Sequence, residues 1–236
     1  MSLSRRQFVT KLLAGSLGIG TIAQASAGSY TIKKGDTLSD IAKRHGVSVS
    51  QLKKANNLSD DLIIENQVLA LPQNANDSLA RAIETTKNLK VPLRNWELVV
   101  AHHSAIEYGN AQIYHQEHRR RGMLHGLAYH FVIGNGIDSG DGEIEFGDRW
   151  LQQLAGGHVR SQSVNDRGIG ICLVGNLENH APSYLQIQAL TQLVDFLKRD
   201  VFKKKFAFTE HRKIDPGHTV CPGRHFPSKT MLSRYT

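Results

Sequence analysis

Two histidines and a cysteine carry the chemistry this sequence can do. The stretch EHRKIDPGHTVCPG, Glu210 to Gly223, holds His211 and, ten positions on, Cys221. Asp215-Pro216-Gly217 turns the chain between them, and Pro222 and Gly223 follow the cysteine. These turn formers make the segment a shaped loop rather than a helix. Far upstream, WELVVAHHSA, Trp96 to Ala105, offers His102 and His103. One imidazole from that stretch, with His211 and Cys221, gives two nitrogens and one thiolate. That is the ligand set of a catalytic zinc site, which keeps a fourth position for water. Period 2 along a strand puts His102 and His103 on opposite faces, so only one of them serves. The residues alone do not say which. A structural zinc would need a fourth protein ligand, and His218 is the near candidate.

Such ligands need a rigid frame. Glu97 to His103 reads as a buried strand, and 110–121 as a helix ending at Gly122. AYHFVI, 128–133, is a second strand, followed by a Gly134-Asn135-Gly136 turn and a short strand over 143–146. GIGICLV, 168–174, is an apolar run typical of a central strand. Cys172 within it reads as a small buried hydrophobe. Ser183-Tyr184-Leu185-Gln186 fits a capping box. It opens a helix with Leu190, Leu193, Val194, Leu197 and Val201 at helical spacing. A strand over 206–208 leads into the His211 loop. The alternation predicts an α/β domain with a mixed central sheet flanked by helices. His115, His118, His125 and His180 fall in polar stretches and read as surface.

The chain has 236 residues, a net charge of +8 and two cysteines. Two cysteines make no disulfide framework. The basic balance suits an acidic polymer, but the charges are dispersed and no nucleic-acid motif accompanies them, so nucleic acid is not an expected partner. Residues 1–28 read as an export signal: Arg5, Arg6 and Lys11, a weakly apolar run from Leu12 to Ala23, and two overlapping small-x-small sites. SRRQFVTK resembles the twin-arginine signal, which implies export to the periplasm or cell wall. No later stretch is long and apolar enough to span a membrane.

Residues 29–72 alternate briefly at Tyr30 and Ile32, break at Gly35-Asp36, and then read as two short helices and a closing strand. Thr37 caps the first helix, with Leu38, Ile41 and Ala42 inward, and Gly46 ends it. Ser48 caps the second, with Val49, Leu52 and Ala55 inward, and Asn56-Asn57 ends that one. YTIKKGDTLSDIAKRHGVSVSQLKKANNL resembles a LysM domain across its length. The resemblance implies binding to glycans containing N-acetylglucosamine, chiefly peptidoglycan or chitin; a spacer is the plain alternative. Residues 73–93 read as a linker whose short helix, capped by Ser78 and running through Lys87, packs on one neighbour, leaving 94–236 as the catalytic domain.

VVAHHSA, GLAYHFVIGNG, GGH, GIGICLVGN and HRKIDPGHTVCPG occur in the order seen in zinc-dependent N-acetylmuramoyl-L-alanine amidases. The chain resembles the branch that includes peptidoglycan recognition proteins and amidase-type phage lysozymes. That resemblance implies one zinc ion held by His102, His211 and Cys221, with His103 supporting or packing. It implies catalytic roles for Tyr129 and Thr219, and expects His158 and Asn165 to bind substrate. His158 capping a turn is the plain alternative. The His211-to-Cys221 loop is about two residues longer than in common members, which brings His218 near the metal. The implied partners are glycan strands and stem peptides, and the expected state is a monomer. An amidase for small soluble or anhydro muropeptides, and a non-catalytic peptidoglycan binder, are the rival readings.

Overall fold

The computed structural model describes residues 28–45, 47, 49–72, 75–203 and 205–235. Residues 1–27 of the expected 1–28 export signal, the Gly46 helix stop and the Ser48 cap lie outside the described residues.

In the N-terminal module β1 (Gly28–Thr31) pairs antiparallel with β2 (Val68–Leu71), with α1 (Leu38–His45) and α2 (Val49–Ala55) between them. Thr37 Oγ1 accepts the Asp40 N–H at 3.1 Å, which caps α1. Leu38, Ile41, Ala42, Leu52 and Leu69 form its small core. Asn57, at φ 53°, turns the chain out of α2. Asn56 does more than end that helix. Its side chain bonds the Leu52 and Ala70 carbonyls and accepts the Ala70 N–H, joining α2 to β2.

The connector holds the expected helix, which ends at Lys87. Helix α3 (Ala75–Lys87) starts three residues before the expected cap and packs against the main core. Leu79, Ala82 and Ile83 supply an apolar stripe at helical spacing. Ser78 Oγ accepts the Ile144 N–H at 3.0 Å, and Thr86 Oγ1 accepts the Trp150 indole N–H at 3.1 Å. The small module also touches the larger domain through α2, where the Lys54 ammonium donates to the Ile137 carbonyl.

The larger domain runs β3 (Leu98–His103), α4 (Ala111–Arg120), β4 (Phe131–Ile133), β5 (Ile144–Phe146), α5 (Asp148–Leu151), α6 (Gln162–Arg167), β6 (Gly168–Leu173) and α7 (Tyr184–Phe196). A π-helical turn, Leu197–Val201, follows, then β7 (Phe208–Glu210), α8 (His211–Ile214) and α9 (Ser228–Tyr235). The sheet order is β5-β4-β6-β3-β7, parallel throughout except for the β4–β5 pair. This is the expected mixed sheet flanked by helices. β4 begins three residues later than the sequence suggests, although the His130 N–H still reaches the Gly170 carbonyl at 2.9 Å. β7 lies two residues later, directly against His211. Both halves of the Ser183–Gln186 capping box form at the start of α7.

Side-chain alternation divides the sheet. Val99, Ala101, Phe131, Ile133, Ile169, Ile171 and Leu173 join α3, α7 and α9 in the main core. Val100, Val132 and Cys172 face the other way, toward Tyr114 of α4 and Val164 of α6. His102 shares the parity of that second face. Among the described residues no helix is long and apolar enough to cross a membrane.

One acid on this frame gives a pH prediction. Glu145 of β5 accepts the Ala111 N–H at the start of α4 at 3.1 Å, and burial pushes its pKa up to about 7. A carboxyl whose folded pKa lies above its unfolded value binds its proton more tightly when folded. Its contribution is therefore full below the unfolded value and is lost as pH rises through about 7. Glu145→Gln should gain stability on the parent chain between pH 4.5 and 8. Each kcal/mol gained raises the melting temperature by about 2–4 °C. Thermal melts at the two ends of that range check it; an offset that does not change with pH contradicts it.

Candidate metal centre

β3 and β7 are adjacent and parallel, with Ala101 opposite Glu210. One residue further along, His102 and His211 fall side by side at the C-terminal edge of the sheet. Open α/β sheets carry their ligand crevices at that edge. The two rings lie 4.7 Å apart between centroids, about one strand spacing. Cys221 arrives from the loop beyond α8, which Arg212 anchors by donating its N–H to the Cys221 carbonyl at 2.8 Å. Gly223, at φ 95°, completes that return. A side chain there would meet the Leu177 backbone at 2.5 Å, so glycine is required.

His102, His211 and Cys221 each offer one donor atom, all within 4.8 Å of one another. His102 Nε2 is taken by His158 Nδ1 at 3.0 Å, which leaves Nδ1, 3.6 Å from the Cys221 sulfur. His211 Nε2 is taken by Asp215 Oδ2 at 3.0 Å, which leaves its own Nδ1. Burial, reinforced by His158 and His211, pushes His102 well below the usual imidazole pKa. Burial lowers His211 as well, against the pull of Asp215. Both rings are therefore neutral near pH 7, the form in which an imidazole can ligate a metal. Burial pushes the Cys221 thiol up to about 12, with the His103 N–H, 3.4 Å from the sulfur, working in the other direction. A thiol so placed gives up its proton to a coordinating cation. Two bare nitrogens and one sulfur converging this closely fit a zinc ion.

His103 turns to the opposite face, where its Nδ1 accepts the Leu177 N–H at 3.0 Å. His218 is exposed beside Arg160 and stands apart from the cluster. Among the described residues the group has three candidate donors and no fourth, which does not suit a structural zinc.

The other expected site residues lie around the cluster. The Tyr129 ring is 5.1 Å from that of His102, and its hydroxyl lies against the Cys172 thiol. Burial raises the phenol's pKa far above its usual value, so it is a neutral O–H. Thr219 Oγ1 accepts the Cys221 N–H at 3.1 Å and keeps its own hydrogen to donate. His158 and Asn165 are both buried, on the far side of His102 from Cys221. Asn165 Oδ1 accepts the His158 and Val159 N–H groups, and its amide donates to the Val159 carbonyl. Their polar atoms are thus engaged within the chain.

Three features escaped the sequence reading. Asp215 is more than a turn former: it holds His211 and accepts the Arg160 N–H at 2.9 Å. Burial favours its protonation, but these two hydrogen bonds hold its pKa below the usual carboxylate range. The His-x-x-x-Asp spacing on one helical turn was the available signal. Cys172 is buried as expected but touches Tyr129, and no spacing announces that. His118 is half-buried rather than surface. Its Nδ1 accepts the Ala128 N–H at 3.0 Å, just before Tyr129.

The fold and site define a candidate metal centre on a mixed α/β domain, behind a small βααβ module. The family profile described as N-acetylmuramoyl-L-alanine amidase matches residues 92–224, more than half of the chain, and the chain belongs to that family. A LysM domain profile matches residues 30–72. The solved amidase LysC of Clostridium intestinale URNW superposes with a TM-score of 0.50 at 27% identity, covering 62% of this chain and 91% of that one. Among curated relatives, the N-acetylmuramoyl-L-alanine amidase XlyB of Bacillus subtilis (strain 168) is 48% identical over 59 residues, 25% of this chain and 19% of XlyB. The cell wall-binding protein YocH of the same organism is 45% identical over 62 residues, 26% of this chain and 22% of YocH. The chain thus spans about a fifth of the length of these two curated relatives.

Proposed function

We propose that the chain hydrolyses the amide between the lactyl group of N-acetylmuramic acid and L-alanine in bacterial peptidoglycan, with one zinc ion held by His102, His211 and Cys221. The observation that carries this reading is the convergence of those three donors within 4.8 Å, with the far nitrogen of each imidazole already bonded. A zinc ion held there supplies Lewis acidity toward the scissile carbonyl and toward water. Asp215 orients His211, and the Thr219 and Tyr129 hydroxyls offer hydrogen bonds to the oxyanion that develops on the carbonyl. Chelation should abolish release of stem peptide from purified sacculi, and added zinc should restore it. Full activity in the chelated, zinc-free chain sinks the reading.

The LysM module holds the chain on glycan strands, and residues 1–28 direct export by the twin-arginine route to the periplasm or cell wall. Tethering raises the local concentration of the amide on an insoluble polymer and does nothing for a small soluble fragment. A chain starting at residue 75 keeps α3 in the main core and loses the module. It should lose at least about tenfold in rate on sacculi and little on soluble muropeptides. Counting released peptide amines at equal zinc occupancy checks this. Equal losses on both substrates would make the module part of the active-site wall, and no loss on either would make it a spacer.

A further inference from the structure

We propose that His158 is a positioning residue that decides which imidazole nitrogen of His102 is bare. The inference rests on the reading of His102 as a metal ligand. His158 Nε2 lies 3.2 Å from the Gly168 carbonyl, and its Nδ1 lies 3.0 Å from His102 Nε2. A carbonyl can only accept, so His158 Nε2 carries a hydrogen. With its hydrogen on Nε2, the His158 imidazole presents Nδ1 to His102 as the bare acceptor. The hydrogen between the two rings must come from His102 Nε2. His102 Nδ1 is left with a free lone pair on the side of Cys221. The orientation thus runs from a backbone carbonyl, through one imidazole, to the ligand atom of the next.

The ring of His158 sits in a slot built for it. A Cβ on Gly170 would lie 2.4 Å from His158 Cδ2, and one on Gly156 would lie 2.5 Å from the same atom. Asn165 fixes the backbone at His158 and Val159. Glycine inside a central strand weakens it, and a close approach by another group is a physical reason to have one there. The glycines of Gly168-Ile169-Gly170 fall on the face shared with His102, where one supplies the carbonyl and the other supplies the space.

The test is nitrogen-15 NMR of the imidazoles in the metal-free full chain, with zinc affinity measured alongside. The expected wild-type spectrum has His102 protonated at Nε2 only. His158→Leu should give a mixture of tautomers at His102 and bind zinc about 10- to 100-fold more weakly. His158→Gln, whose amide can accept from His102 and donate to Gly168, should recover most of both. A wild-type His102 protonated at Nδ1 overturns the proposal, and that spectrum decides it even if His158→Leu does not fold. So does a folded His158→Leu chain with the wild-type tautomer and zinc affinity. A chain that shows the expected tautomer and binds zinc but releases no peptide leaves this inference standing and removes the amidase reading instead.

Discussion

Cys221→Ala is expected to lower zinc from one per chain to near none and to reduce peptide release from sacculi to background. His102→Ala and His211→Ala should do the same, because each removes one of the three donors of the proposed site found among the described residues. The loop that carries Cys221 should also loosen, since metal binding contributes to folding. His103→Ala is the contrasting variant. It leaves the buried Leu177 N–H without its acceptor, at a cost of about 1–3 kcal/mol. Its backbone N–H toward the Cys221 sulfur survives the substitution, so the variant should keep its zinc. Metal analysis of the four purified variants decides the matter. Zinc lost in His103→Ala and kept in His102→Ala would reverse the assignment of strand faces.

Arg212→Ala should be the most damaging substitution outside the ligand set. Glu210 is fully buried, and Arg212 Nε donates to its Oε2 at 2.8 Å. The other carboxylate oxygen, Oε1, is buried without a hydrogen-bond partner. The same guanidinium reaches the Gly223 carbonyl at 3.3 Å and Ser228 Oγ at 2.6 Å, so it joins β7 to the metal loop and to α9. Removing the partner of a buried carboxylate leaves an uncompensated charge and costs up to about 3–5 kcal/mol, the upper end needing a partner as buried as Glu210 itself. Denaturant unfolding should show that loss. The double variant Arg212→Ala with Glu210→Gln should recover a good part of it, because the buried charge is gone. A single variant within about 0.5 kcal/mol of the parent would mean that the pair does not hold the loop.

Much of this was legible in the sequence because the local signals and the tertiary structure agree. The apolar runs at 97–103 and 168–174 became β3 and β6, and the Ser183 box opened α7 where expected. His211 and Cys221 met because turn formers separate them. What the sequence hid was relational. Nothing in a strand pattern distinguishes His102 from His103; the choice appears only when the parallel register sets His102 beside His211. Asp215, spent in the reading as a turn former, turned out to face His211 across one helical turn. His158 looked like a pocket residue because a glycine pair precedes it, whereas its partners are a ring and a carbonyl from distant strands. The connector read as polar because the stripe of Leu79, Ala82 and Ile83 is narrow. It packs because the main core offers a matching face.

The measurement that bears most directly on the central claim is mass spectrometry of the products from purified sacculi. The account predicts free stem peptides beginning with an unblocked L-alanine, together with glycan strands whose sugar linkages are intact. It also predicts that neither product appears with Cys221→Ala. Disaccharide-bearing fragments, or peptides cut within the stem, would place the chemistry on another bond and contradict it.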